Sequence, residues 1–380
     1  MNAPALYQEL ESHLRQGATG RALDIARQIA AAGGTVPWMA IAKTCHERGD
    51  RAGEEEALSR RLREQRGDIG AISGLAELKR AQGDRRAAQN FYRLGLNTIA
   101  QLANVPPPLR SWAERAQAYI QEGITAYAAH LDDQMKAAGI DVAASSPRIR
   151  EAFDLLTGRT PLYLQQPSMF FYPGLPHRAW YEREEFDWVP ALEARTEAIA
   201  AELTALIDTP DDSFAPYVQA PPGRPAPNNP LLDDPSWGAA YLIKSGERQP
   251  LADLCPAAID ALSLAPQPVI ESRSPMALFS RLKPGTHIKP HHGLLNTRLI
   301  CHLPLIVPDG CGLRVGPETR AWQEGKLFIF DDSFEHEAWN RGTSDRTVLL
   351  FEIWRPEIPE EDRNVLTALF ASIDRFEEDA

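Results

Sequence analysis

Cysteine, basic excess and long apolar runs are all scarce in this 380-residue chain. The four cysteines, Cys45, Cys255, Cys301 and Cys311, show no CxxC spacing. That spacing does not suggest a disulfide framework, and predicts a reducing cytoplasm as the compartment. A formal net charge of -12 and a pI near 5.3 argue against sequence-independent binding to nucleic acid or an anionic membrane, since phosphate neutralisation needs clustered Lys and Arg. A small-molecule or peptide substrate fits better. No segment approaches the roughly 18 apolar residues of a membrane span. The opening "MNAPALYQELESHLRQ" has no apolar export core, which predicts a chain that is neither exported nor anchored. Proline is nearly absent from Ala5 to about Ala103, although the whole chain holds 31.

That proline-poor stretch is rich in Ala, Leu, Arg, Glu and Gln at helical spacing, and predicts an all-helical segment. Its turns recur. "ERGDRAGEEEALSRRL" and "AQGDRRAAQNFYRLGL" set Gly49-Asp50-Arg51 and Gly83-Asp84-Arg85 34 residues apart, with "RQGATGRALDIARQ" around Gly17 as a looser copy. This is the length of a tetratricopeptide helix-turn-helix unit, and Ala57, Ala87 and Ala88 sit where a second helix must approach its neighbour. Residues 1–104 are therefore read as a TPR-like repeat domain, with a generic helical bundle as the alternative. "NVPPPLR", Asn104 to Arg110, reads as a proline-stiffened hinge. A helix from about Ser111 to Ala138 and a shorter one, Pro147 to Leu156, make 105–160 a helical linker region.

From residue 161 the pattern changes to short apolar runs bounded by turn residues, as β-rich domains read. Candidate strands are Met276–Leu282, Thr297–Val307, Gly312–Gly316, Lys326–Asp331, His336–Asn340 and Arg346–Trp354, which argue for a sandwich or barrel over 161–380. "YVQAPPGRPAPNNP", Tyr217 to Pro230, is too proline-rich for either regular element and reads as a long loop or lid.

Four histidines crowd "THIKPHHGLLNTRLICHLPL". Taken singly, each reads as a hydrogen-bonded structural residue. His291, however, falls at a strand-loop boundary, and His336 opens another strand 45 residues on. Arg346 then opens an apolar strand, where a buried guanidinium needs an anion. Two imidazoles and such an arginine suit a non-haem iron site for 2-oxoglutarate, with the arginine forked onto the distal carboxylate. One part is missing: the usual His-X-Asp/Glu has Gly293 where the carboxylate should stand. Three readings stay open on the residues alone. They are a two-histidine iron centre with waters in the vacant position, a zinc or other metal site completed by His292 or His302, and no metal site.

"PGTHIKPHHGLLNTRLICHLPLIVP" and "CGLRVGPETRAWQEGKLFIFDDSFEHEAWNRGTSDRTVLLFEIWRPE" closely resemble the catalytic domain of the aspartyl/asparaginyl β-hydroxylases, and "MFFYPGLPHRAW" with "FDWVPALEA" resembles that domain's opening. The resemblance implies a double-stranded β-helix of jelly-roll, cupin-like form, which after the helical TPR-like repeats read above makes an α+β multidomain chain. It also implies Fe(II) held by two histidines without a carboxylate, which accounts for Gly293, and 2-oxoglutarate and O2 as co-substrates. The metal ligands fall on His291 and His336. The arginine for the distal carboxylate falls on Arg346, with Ser280 assisting, and His302 falls near the C1 carboxylate. Where the family has a further arginine, this chain has Ile300. Arg298, a two-residue strand step of about 6.6 Å away and on the same face, is the candidate to replace it; a changed substrate pocket is the alternative.

On the same resemblance, His287 and His292 are bystanders. "DDSF" reads as a turn whose carboxylates accept backbone N–H bonds, or hold His336 in place. Trp237, Trp322, Trp339 and Trp354 read as core or pocket wall, and Arg314 and Arg320 as surface charges or partners for an acidic substrate. The activity implied is dioxygenase hydroxylation of the β-carbon of Asp or Asn in a peptide or protein guided by the repeats, yielding succinate and CO2. The alternatives are a hydroxylase of a free or carrier-bound amino acid or a lipid, and a non-catalytic binding scaffold.

Overall fold

In the computed structural model, which describes residues 3–208, 213–220 and 229–378, the chain divides after Thr160 into two units. The first is built from α1 (Ala3–Gln16), α2 (Thr19–Ala31), α3 (Trp38–Glu47), α4 (Arg51–Glu64), α5 (Ile69–Ala81), α6 (Arg85–Ile99), α7 (Pro107–Ala137) and α8 (Pro147–Leu156). The two Gly-Asp-Arg turns build the same corner twice. Gly49 and Gly83 take φ +72° and +77°, the left-handed conformation that ends a helix at lowest cost in glycine. The next residue then caps the following helix: Asp50 accepts from Gly53 N at 2.9 Å and Asp84 from Ala87 N at 3.0 Å. Ala57 and Ala88 are fully buried where α4 and α6 meet their neighbours.

Residues 105–160 pack into this same unit, because Trp112 and Ala116 of α7 join Tyr92 and Ile99 in one apolar cluster. Gly95 makes that possible: a side chain there would run into the Trp112 ring. The proline run does not precede α7 as a hinge but opens it. Pro107 stands at the first helical position, where no N–H is needed, so the helix starts four residues earlier than the apolar periodicity placed it.

The second unit holds β1 (Trp180–Tyr181), α9 (Val189–Glu193), α10 (Thr196–Ile207), β2 (Ala215–Pro216), β3 (Trp237–Lys244), β4 (Glu247–Arg248), α11 (Pro256–Leu262), β5 (Ala277–Leu282), β6 (His287–His291), β7 (Arg298–Ile306), β8 (Cys311–Val315), β9 (Glu318–Arg320), β10 (Phe328–Phe330), β11 (His336–Asn340), β12 (Arg346–Trp354) and α12 (Glu360–Glu378). Two antiparallel sheets form. The larger runs β1-β10-β7-β12-β5-β3-β2 with β4 beside β3, and the smaller runs β6-β11-β8-β9. From β5 onward the chain crosses between them: β5, β7, β10 and β12 lie in the large sheet, β6, β8, β9 and β11 in the small. This winding is the double-stranded β-helix.

The large sheet is covered on both faces, so β5 and β12 are buried along their whole length and read as continuous apolar runs rather than alternating ones. Leu349, Phe351 and Ile353 pack with Ile199, Leu203 and Ala258 of α10 and α11. Val348 and Leu350 point the other way, to Ile300, Leu313 and Phe334 inside the barrel. The six strands expected from the sequence all form. Missed were β3, β6 and the short strands; β6 is an edge strand that tolerates Pro290 because one side needs no partner. Residues 221–228 of the proline-rich loop lie outside the described residues. All four cysteines are buried and unpaired. Among the described residues no helix is long and apolar enough to cross a membrane.

Candidate active site

The two sheets enclose a cavity of about 480 Å³, with the small sheet supplying the histidines. His291 ends β6 and His336 begins β11, and antiparallel pairing sets them opposite each other with ring centroids 4.1 Å apart. Each ring is turned by its own strand. Nδ1 of His291 donates to Lys289 O at 2.8 Å and Nδ1 of His336 to Phe334 O at 3.0 Å. A proton on Nδ1 leaves the Nε2 lone pair of each ring free, the arrangement a metal-holding imidazole requires. Burial, with His291 alongside, pushes His336 down to about 3, so the ring stays neutral, as a ligand must be.

The large sheet supplies the charged end. Arg346, 1% exposed at the start of β12, donates from Nη1 to Ser280 O at 3.4 Å, and its guanidinium lies 4.6 Å from the Trp322 ring centroid. Its Nε has no partner. Among the described residues no carboxylate pairs with it: burial lowers it to about 10, and the Cys311 thiol is what opposes that shift. Ser280 Oγ accepts from Trp237 Nε1 at 3.3 Å, which leaves its hydroxyl proton to give. His302 lies on β7 beside Trp322, ring centroids 6.0 Å apart. Its Nδ1 is buried without a partner, and burial together with Arg346 holds it well below the usual imidazole range. Ser280, His291, His302, His336 and Arg346 thus all line one cavity.

Arg298 shares that wall with Ile300 and His302, as the strand period requires. Its charge, however, is already engaged: Nη1 donates to the fully buried Glu352, and Asp332 lies 3.8 Å from Nη2. The guanidinium is tied within the protein rather than standing free above Ile300 to take a carboxylate.

Asp332 is the residue that sequence reasoning missed. Of the two aspartates in "DDSF", Asp331 is the turn residue: it accepts from Ser333 N at 2.9 Å, Ser333 Oγ at 2.5 Å and Gln165 Nε2 at 2.8 Å, and pairs with buried Arg355. Asp332 instead lines the cavity. Its carboxylate occupies the volume that a side chain on Gly293 would need, while Gly293 N donates to Asp332 O at 2.6 Å. Burial raises it to about 7 against the opposing pull of Arg298. Its position was legible only through contact between two loops 39 residues apart.

The remaining candidates divide between the cavity and the rest of the domain. His287 Nε2 pairs with Glu337 at 2.6 Å; His292 does line the cavity. Arg314 binds Glu335 and Glu337, and Arg320 binds Glu182 and Glu318. Trp237 forms cavity wall, Trp322 is buried in the apolar cluster beside His302 and Arg346, Trp339 lies under Arg341 and Trp354 packs with Phe370 of α12. Among the described residues no group of three or more His, Cys, Asp or Glu is placed to hold a metal. Two neutral imidazoles with free Nε2 atoms do fit a metal whose other positions are filled by small molecules.

The winding and the facing histidines define a double-stranded β-helix domain with a two-histidine pocket. Residues 193–356, within the second unit, match the family model described as aspartyl/asparaginyl β-hydroxylase. The human aspartyl/asparaginyl β-hydroxylase is 32% identical over 209 residues, 54% of this chain and 26% of that protein. Human aspartate β-hydroxylase domain-containing protein 2 is 31% identical over 228 residues, 59% of each. The chain thus spans about a quarter of the first relative and under two thirds of the second. Among solved structures, AviO1 from Streptomyces viridochromogenes Tue57 aligns with a TM-score of 0.25 and 15% identity, over 45% of this chain and 87% of that one.

Proposed function

We propose that the second unit is an Fe(II)- and 2-oxoglutarate-dependent dioxygenase that hydroxylates the β-carbon of an Asp or Asn residue in a peptide or protein, with succinate and CO2 as co-products. The match to the aspartyl/asparaginyl β-hydroxylase model supports hydroxylase chemistry. The observation that carries the co-substrate is Arg346, a buried guanidinium with no carboxylate to neutralise it. Such a charge is costly unless an anion comes, and the far carboxylate of 2-oxoglutarate can fork onto it while Ser280 donates its hydroxyl. His302, with its unpartnered Nδ1, meets the near carboxylate. His291 and His336 hold the metal, each ring aimed by its carbonyl bond. Iron bound there would supply oxidation of an unactivated C–H bond with O2 as oxidant and 2-oxoglutarate as electron donor. The apolar wall excludes water around it.

The helical unit is assigned the recruitment of the peptide. Residues of α3 and α5, among them Met39, Lys43, His46 and Glu77, line a groove of about 630 Å³, the kind of surface stacked helical hairpins present to a partner. Four buried, unpaired thiols fit a reducing, cytoplasmic setting. The test is anaerobic addition of Fe(II) and 2-oxoglutarate. A weak visible charge-transfer band should form in the native protein and be lost in His336→Ala, and admitting O2 with candidate peptides should give succinate and a product heavier by one oxygen. No band, with co-substrate consumption the same in His336→Ala, rejects the proposal.

A further inference from the structure

Of the arginines lining the cavity, Arg346 is the one fully buried without a described carboxylate beside it. Arg346 awaits the dicarboxylate. Arg298 is tied to Glu352 and Asp332. Two further cations reach the cavity lining, Lys244 and Arg273, but Lys244 is exposed to solvent over the Tyr241 ring and Arg273 lies over the Phe370 ring with Nη1 3.2 Å from Met169 Sδ. Against these, Asp332 turns a carboxylate into the same space, and its Oδ1 is a buried acceptor with no partner. The wall between is Ile300, Leu313, Phe330 and Leu350.

From this arrangement, and resting on the oxygenase reading above, we propose that the site takes an uncharged target group and rejects a carboxylate: the amide of asparagine or an apolar side chain, not the acid of aspartate. A second carboxylate beside the metal would be stripped of water with no described inner cation left to receive it. An amide has the opposite fit, since its N–H can donate to the unpartnered Asp332 Oδ1, and an apolar chain matches the Ile300 wall. Ile300 is therefore a specificity-determining residue: it keeps one surface of the pocket neutral where a basic side chain would attract acid.

The experiment is calorimetric titration into the full-length protein, first with Zn2+, then with 2-oxoglutarate. Three capped amino acids follow: the N-acetyl methylamides of L-asparagine, L-leucine and L-aspartate. Binding of the asparagine or the leucine compound at least about tenfold tighter than aspartate is expected, the scale set by leaving one buried charge unpaired. Ile300→Arg should narrow or invert that preference. Aspartate binding as tightly as the better neutral compound overturns the proposal, and so does the absence of binding by both neutral compounds. Failure of Zn2+ and 2-oxoglutarate themselves to bind is a different result: it removes the oxygenase reading, and this inference with it. The native-protein comparison decides the matter even if Ile300→Arg does not fold.

Discussion

The Asp332 carboxylate fills the space that a side chain on Gly293 would take. A carboxylate at position 293 and one at position 332 are therefore mutually exclusive in this backbone. Gly293→Asp should force Asp332 out of its contact with Arg298 and lower stability by about 1–3 kcal/mol, as overpacking does. The double replacement Gly293→Asp, Asp332→Gly removes the overlap and should recover most of that loss. Urea denaturation of the three variants measures it; a double variant no more stable than Gly293→Asp alone would falsify the steric account.

A different balance governs Arg346. Removing a buried side chain ordinarily destabilises, but this one carries a buried charge with no carboxylate against it. Arg346→Met keeps the packing under Trp322 and should leave the unliganded melting temperature unchanged or higher. The same change should weaken 2-oxoglutarate binding by about 10- to 150-fold, the range of charge-assisted hydrogen bonds. Thermal shift with and without 2-oxoglutarate separates the two effects. A ligand-induced rise in the variant equal to that of the native protein would remove Arg346 from the co-substrate site.

Much of this was legible in the sequence, and what was not has a common cause. The repeated Gly-Asp-Arg corners were visible because a left-handed glycine and an N-capping aspartate are local requirements. His291, His336 and Arg346 stood out because their positions at strand ends break apolar runs. Arg298, Ile300 and His302 were placed on one face by strand period alone, and they share it. Hidden were relations that only folding creates: the capture of Arg298 by Glu352 one strand away, the entry of Asp332 beside Gly293, and the reading of Pro290 as part of an edge strand. Pro107 was misplaced because apolar periodicity does not register a helix's first turn.

The capture of Arg298 leads to its own test. Arg298→Ala strands Glu352, which is wholly buried and, among the described residues, keeps its bond from Met276 N at 3.1 Å. The expected loss is about 3–5 kcal/mol, typical of breaking a buried ion pair. Affinity for 2-oxoglutarate, measured on the fraction that folds, should change less than threefold or so, well inside the effect of one charge-assisted bond. Arg298→Met with Glu352→Gln, which removes both charges, should regain most of the stability. A sharp loss of 2-oxoglutarate affinity in that double variant would instead return Arg298 to the co-substrate.

The buried histidines predict how stability follows pH. His336 titrates at about 3 in the folded protein and near 6.5 when unfolded, so between those values the unfolded chain binds the extra proton. By linkage, stability must then rise with pH through that window and fall as acid is added below about 6.5, at up to ~1.4 kcal/mol per pH unit for one such group. His302, also held well below its ordinary range by burial, acts in the same direction. Asp332 acts against both. Raised to about 7, it holds a proton in the folded state that the unfolded chain has lost above pH ~4, so it lowers stability as pH climbs from ~4 to 7. Replacing His302 by Leu should flatten the acid side of the metal-free stability curve by about one proton, and Asp332→Asn should steepen the rise between pH 5 and 7. Urea midpoints of the metal-free protein from pH 4.5 to 7.5 read both slopes, and a His302→Leu curve parallel to the native one would mean that His302 is protonated inside the fold.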